Sequence, residues 1–353
     1  MSLTSPERQL RTVLRVFAVL FGVAALGYGV GPFVGPFAPL LRRLPFVAFS
    51  AVKVFTLALV CLYGAGDPRE RRGLVWVAVG GHALSVGAML ALLAFGDTSA
   101  LVPVGAALLP VSRVLWGAMA LDGVVTLVLA LAGWRAGSAA AEGKAAVERV
   151  NWTVGPITRA DRRLRGALVV LGVGFLVSAV FYEAGALMPA TRAAFTELPF
   201  VTNSVVKVGT LGLVALYTAR AIGPRIGLTG ILFAAHVASI AVQLLFWGGA
   251  AGEASLPIGG REVAVRTALV AGAALDAVVA TLILVLWRQA YSARFQPAFL
   301  SLRGYRTLIA LADVTVRGQT NALRRATSRT MLTGTSGAFT RGAGGFRIGW
   351  LCS

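Results

Sequence analysis

Residues 44–63 read LPFVAFSAVKVFTLALVCLY, and residues 198–217 read LPFVTNSVVKVGTLGLVALY. Each is an apolar run with one lysine, Lys53 or Lys207, at the same place inside it. The two stretches lie 154 residues apart, and that offset holds without gaps well beyond them. It joins Arg8 to Arg162, Tyr28 to Tyr182, Gly31 to Gly185, Ser50 to Ser204 and Arg71 to Arg225. It also aligns LDGVV (121–125) with LDAVV (275–279). A self-similarity of this length is read as a tandem duplication, and it governs the expected fold.

Composition sets the environment. The 353 residues are 57% hydrophobic and 13% charged, with a mean hydropathy of +0.78. Soluble domains are about a quarter charged, and a hydrocarbon core of about 30 Å needs roughly 20 apolar residues to cross it. Eight such segments occur, near 13–31, 45–65, 73–95, 114–134, 166–187, 199–219, 226–248 and 267–287. The expected fold is therefore an all-α integral membrane protein of eight transmembrane helices. It is organised as two parallel four-helix repeats, 1–138 and 165–290, joined by a cytoplasmic linker at 139–164. An even number of spans per unit inserts both halves the same way, which predicts a pseudo-two-fold axis along the membrane normal. The first segment follows RQLRTVLR as in a signal peptide, but no small-residue cleavage site follows and the segment recurs as the fifth.

Loop charges orient the chain. Arg8, Arg11 and Arg15 precede the first segment, Arg69, Arg71 and Arg72 fill the second loop, and the linker region is rich in Arg and Lys. Alternate loops hold fewer: Arg42 and Arg43, then Arg113, Arg192, and Arg261 with Arg266. Both termini are expected in the cytoplasm, with the protein in the cytoplasmic membrane. The net charge of +19 follows from this bias plus a basic tail. No basic face interleaved with aromatics points to nucleic acid. The two cysteines, Cys61 and Cys352, form neither a disulfide framework nor a metal spacing.

Ionisable residues matched between the halves carry more information than apolar ones. A charge at membrane depth costs at least about 2.5–3.5 kcal/mol by insertion scales. Three pairs match: Lys53 with Lys207, His82 with His236, and Asp122 with Asp276. The chain has only two histidines, and they are equivalent. At 1.5 Å per residue, Lys53 lies roughly 12 Å from one face and His82 roughly 14 Å from the other. One polar cluster per repeat is thus expected near the midplane.

Several readings of these clusters stand side by side. Lys and Asp on neighbouring helices neutralise each other, with His as packing glue. Alternatively they line a polar cavity, the lysines holding an anionic lipid headgroup or a quinone carbonyl and the histidines relaying protons. A third reading places a haem between His82 and His236. No resident metal ion is expected, since Cys61 is matched by Ala215 and the ligand count falls short. Asn203, Glu183 and Gln243 are polar only in the second half, where the first has Phe49, Gly29 and Met89, which favours the second half as the working site. GVGPFVG (29–35) follows a membrane helix rather than a strand and is a turn; no HExxH or Gly-x-Ser-x-Gly occurs.

The C-terminal region has a different character. FLSLRGYRTLIALADVTVRG (299–318) lies in a stretch, 291–318, expected to form an amphipathic helix on the inner leaflet. Around TLIALAD (307–313) it resembles the helix that leads into the flavin domain of glucose–methanol–choline oxidoreductases of the long-chain alcohol oxidase type. A similar helix opens the small subunit of membrane-bound gluconate dehydrogenases. The resemblance implies a cytoplasmic flavin oxidoreductase domain as partner, with these helices as its membrane anchor. It carries over no catalytic residue, because the family's histidines and dinucleotide loop do not occur here. Residues 319–353 contain no acidic residue and no lysine. They are expected to be either a lipid-bound basic tail or an out-of-frame translation of a GC-rich gene, which would make the chain the membrane half of a longer fusion.

Overall fold

The fold was read from a computed structural model. It describes residues 3–31, 33–34, 47–96, 98–99, 101–104, 107–143, 158–189, 198–248, 255–258 and 261–300. These form eight helices: α1 (Ser5–Val30), α2 (Val47–Gly66), α3 (Gly73–Phe95), α4 (Val111–Gly143), α5 (Arg159–Leu187), α6 (Leu198–Arg220), α7 (Ile222–Gly248) and α8 (Val265–Leu300). Residues 1–293 make one compact unit.

Local chemistry explains where the helices start. Thr4 caps α1, its Oγ1 accepting from Glu7 N while its own N–H donates to Glu7 Oε2 at 2.8 Å. Thr158 caps α5 in the same way with Asp161, both bonds being 3.0 Å. Each box satisfies two backbone N–H groups that a helix start leaves open.

Six helices are long and apolar enough to cross a membrane: α1, α3, α4, α5, α7 and α8. The outer ones present bare apolar faces. In α1, Val19, Val23 and Leu26 are each more than 60% exposed, and in α5 so are Val170, Val180 and Phe181. Faces of that extent on α1 and α5 call for a non-aqueous surrounding. The remaining two, α2 and α6, are the inner helices. α2 packs on α1, α3, α6 and α7, and α6 on α5, α7, α2 and α3. Protein supplies their surroundings, so they tolerate Ser50, Lys53 and Thr56, or Ser204, Lys207 and Thr210, all of them buried. The stretch Ser50–Gly66 of α2 is apolar even with these residues in it.

Two β-hairpins, which the segment pattern did not anticipate, cap one end. β1 (Leu101–Val104) pairs antiparallel with β2 (Ala107–Pro110), and β3 (Ser255–Ile258) with β4 (Arg261–Ala264). At the other end the chain is stitched together by arginines. Arg69 forms a two-pronged bond to Glu7, at 2.7 and 2.9 Å, joining the α2–α3 turn to the start of α1. Arg11 reaches Gly66 O, and Arg72 reaches Ala136 O, each at 3.4 Å. The carboxylate beside it raises the Arg69 pKa further.

The expected boundaries shift at the linker. α4 runs to Gly143 and α5 starts at Arg159, so of the 139–164 linker, 144–157 lie outside the described residues. The segment expected as a separate amphipathic helix from 291 is, up to Leu300, a continuation of α8. The flavin-type resemblance at 307–313, the basic tail and Cys352 lie outside the described residues.

Candidate functional site

The three residue types singled out in each half converge. In the first half, Asp122 on α4 lies at the centre of the cluster. His82 Nδ1 is 3.0 Å from its Oδ1, and Lys53 Nζ is 3.8 Å from its Oδ2. Lys53 also donates to Ser85 Oγ at 3.4 Å, one turn beyond His82 on α3. In the second half, His236 Nδ1 is 2.7 Å from Asp276 Oδ1, and Lys207 donates to Ser239 Oγ at 2.9 Å. Lys53, Lys207, His82 and His236 are each at most 5% exposed.

The halves differ in one component. Gln243 Nε2 donates to Asp276 Oδ2 at 2.7 Å and to Ser239 Oγ at 3.1 Å. Its counterpart Met89 is buried and has no hydrogen-bonding group. The second cluster is thus the more elaborate, which is what its extra polar residues suggested. Glu183 does not join it through any bond: both its carboxylate oxygens are buried with no hydrogen-bond partner among the described residues. The side chain of Asn203 lies outside the described part of the structure.

An aromatic ring braces each imidazole. Phe21 on α1 stacks on His82 with centroids 5.3 Å apart, and Phe175 on α5 lies 5.5 Å from His236. Ser85, Ser239, Phe21 and Phe175 were not singled out from the sequence. All four obey the 154-residue offset, the signal that could have found them, but matched serines and phenylalanines are ordinary in apolar helices.

The Asp–His arrangement fixes what each site can do. Nδ1 faces a carboxylate oxygen, which favours the tautomer with its proton on Nδ1 and leaves a lone pair on Nε2. Nε2 of both His82 and His236 is buried with no hydrogen-bond partner among the described residues. Each half therefore offers one oriented basic nitrogen, next to a carboxylate and a lysine, inside the helix bundle. Among the described residues no three His, Cys, Asp or Glu side chains group as a metal site.

These features define a polytopic helical membrane-type protein with two buried Lys–Asp–His clusters. Compared with known proteins, the chain matches no family model, no curated protein and no solved structure.

Proposed function

We propose that the chain is an eight-span protein, duplicated from a four-helix unit, whose paired Lys–Asp–His clusters bind and pass protons as part of a membrane carrier. The observation that carries this is the buried Nε2 on both Asp-oriented histidines. Packing alone asks only for shape, whereas both halves keep the same Asp–His pair, with Nδ1 turned to the carboxylate and Nε2 turned away from it, beside a buried lysine.

Support for the duplication comes from contacts as well as residues. Tyr63 on α2 packs its hydroxyl against Gly227 of α7, and Tyr217 on α6 packs its own against Gly73 of α3. Arg71 stacks over Tyr63 at 3.8 Å and Arg225 over Tyr217 at 3.7 Å. Exchanging the halves leaves this set of contacts unchanged, as a two-fold axis between α2 and α6 requires. On this reading α2 and α6 cross the membrane as inner helices, completing eight spans with both termini cytoplasmic.

The test uses the fact that there are only two histidines. With ¹⁵N-histidine incorporated, nuclear magnetic resonance of the protein in bilayers shows two imidazoles. The expected result is that both carry the proton on Nδ1 and that Nε2 takes up a proton reversibly on acidification. Spectra that stay unchanged from pH 4 to 9 would leave the clusters as structural glue. A Soret band in the purified protein would instead assign the two Nε2 atoms to a haem iron. The flavin-anchoring role would use the same helices and rests on the 299–318 resemblance alone.

A further inference from the structure

A cavity of about 800 Å³ opens between α3 and α6 at the arginine-rich end of the bundle, away from the histidine clusters. Arg69, Arg72, Arg220 and Arg225 line its mouth, together with Glu70. Its deeper wall is apolar: Trp76, Val77 and Gly80 from α3, with Leu213 and Leu216 from α6. Along α3 the lining runs from Gly73 to Gly80, and along α6 from Arg220 back to Leu213. Each is seven residues, or roughly 10 Å of depth from charged mouth to apolar floor.

We infer that this cavity binds one phosphate-bearing anionic lipid, its headgroup at the arginines and its chains along Trp76, Leu213 and Leu216. The inference rests on the membrane reading above but on none of its proton chemistry. The mouth carries four cations against one carboxylate. Two of them are partly committed: Arg69 to Glu7, and Arg225 to Tyr217 O at 2.6 Å and to the Tyr217 ring. Arg72 uses one Nη on Ala136 O, which leaves most of its five N–H donors for a ligand. Arg220 is exposed at the mouth. Guanidinium groups match a phosphate's oxygens in pairs, and a tryptophan beside them sits well at the headgroup level.

The other half supplies an internal control. Residues 154 positions from Arg69, Arg72, Arg220 and Trp76 are Gly223, Ile226, Gly66 and Gly230. Only Arg225 keeps a basic counterpart, Arg71. The Tyr–Gly contacts beside the two grooves are nevertheless the same in both halves. The Tyr–Gly packing therefore does not demand Arg220 or the indole, while Arg69 and Arg72 also tie the α2–α3 turn to Glu7 and to Ala136 O. A ligand that occupies one groove and not its twin accounts for both the charge and the aromatic ring.

The test is native mass spectrometry on the full chain, extracted into neutral detergent and stripped of lipid. Phosphatidylglycerol, phosphatidylcholine and free glycerol phosphate are offered in turn. One phosphatidylglycerol should bind per chain, phosphatidylcholine at least tenfold more weakly, and glycerol phosphate not detectably. Arg72→Gln with Arg220→Gln should weaken phosphatidylglycerol about tenfold, equal to about 1.4 kcal/mol, while Arg72→Lys with Arg220→Lys retains most of it. Arg162→Gln with Arg163→Gln, two exposed cations on α5 outside the cavity, should leave binding unchanged. Equal binding by the glutamine variant, or an equal loss in the α5 variant, overturns the site. Glycerol phosphate binding as well as the lipid overturns the amphiphile and makes this a soluble-phosphate site. A chain that needs detergent yet takes no lipid sinks this inference alone, whereas one soluble without detergent sinks the membrane reading.

Discussion

Lys53 Nζ lies 3.8 Å from Asp122 Oδ2, two opposite charges joined across α2 and α4 with the lysine almost fully buried. Removing one member leaves the other as an uncompensated buried charge, which costs about 3–5 kcal/mol. Lys53→Met and Asp122→Leu are therefore each expected to destabilise strongly. The double variant should recover much of that loss, with a coupling of at least about 1 kcal/mol. Unfolding in mixed detergent micelles measures all four proteins. A double variant worse by the sum of the two singles would mean that the ion pair does not hold this part of the bundle together.

Close approach at the other end gives a prediction of opposite sign to propensity. Glycine to alanine inside a helix normally stabilises by about 1 kcal/mol. At Gly73 an added Cβ would run into the Tyr217 hydroxyl and ring, and at Gly227 into those of Tyr63. Gly73→Ala and Gly227→Ala should both lower the melting temperature. Gly123→Ala and Gly174→Ala, where nothing lies within 4 Å, should leave it unchanged or raise it. A melting temperature that rises for all four would remove the Tyr–Gly contacts from the account of helix packing.

How much of this was legible beforehand follows from what a linear pattern can carry. Lys53, His82 and Asp122 could be grouped in advance because an isolated charge in an apolar run is conspicuous and the offset repeats it. Ser85 and Phe21 could not, because serine and phenylalanine are ordinary in such helices and only distance shows that they touch Lys53 and His82. The inner position of α2 and α6 was hidden for a related reason. Hydropathy measures how apolar a helix is, not whether lipid or protein surrounds it. The hairpins were hidden because strands of four residues carry too short a pattern to stand out beside apolar runs long enough to span a membrane. The groove lined by Arg72 and Arg220 needs α3 and α6 side by side, a contact between halves that no local pattern encodes.

The second cluster offers a sharper probe of the histidines. Asp276 accepts from Gln243 at 2.7 Å and faces His236 Nδ1 at the same distance. Asp276→Asn keeps the shape but replaces a carboxylate by an amide, which no longer favours a proton on Nδ1 over one on Nε2. Only the His236 resonance should then show a mixture of tautomers, with His82 held as before by Asp122. An unmoved His236 spectrum would mean that the carboxylate does not set the tautomer.

The eight-span reading makes a definite statement about sidedness. The α2–α3 turn carries Glu70, and the hairpins carry Leu108 and Glu262, all three exposed. If α2 and α6 both cross, then α3 separates Glu70 from Leu108, and four further spans return the chain to the same side at Glu262. Single cysteines at these positions, in a Cys61→Ala, Cys352→Ser background, can be labelled in intact cells with a membrane-impermeant maleimide. Cys61→Ala should be tolerated, since the buried counterpart position already holds Ala215. Leu108→Cys and Glu262→Cys should label from outside, and Glu70→Cys only after the cells are opened. Labelling of Leu108→Cys but not Glu262→Cys would mean an odd number of crossings between them, which ends both the parallel duplication and the two-fold relation of the Lys–Asp–His clusters.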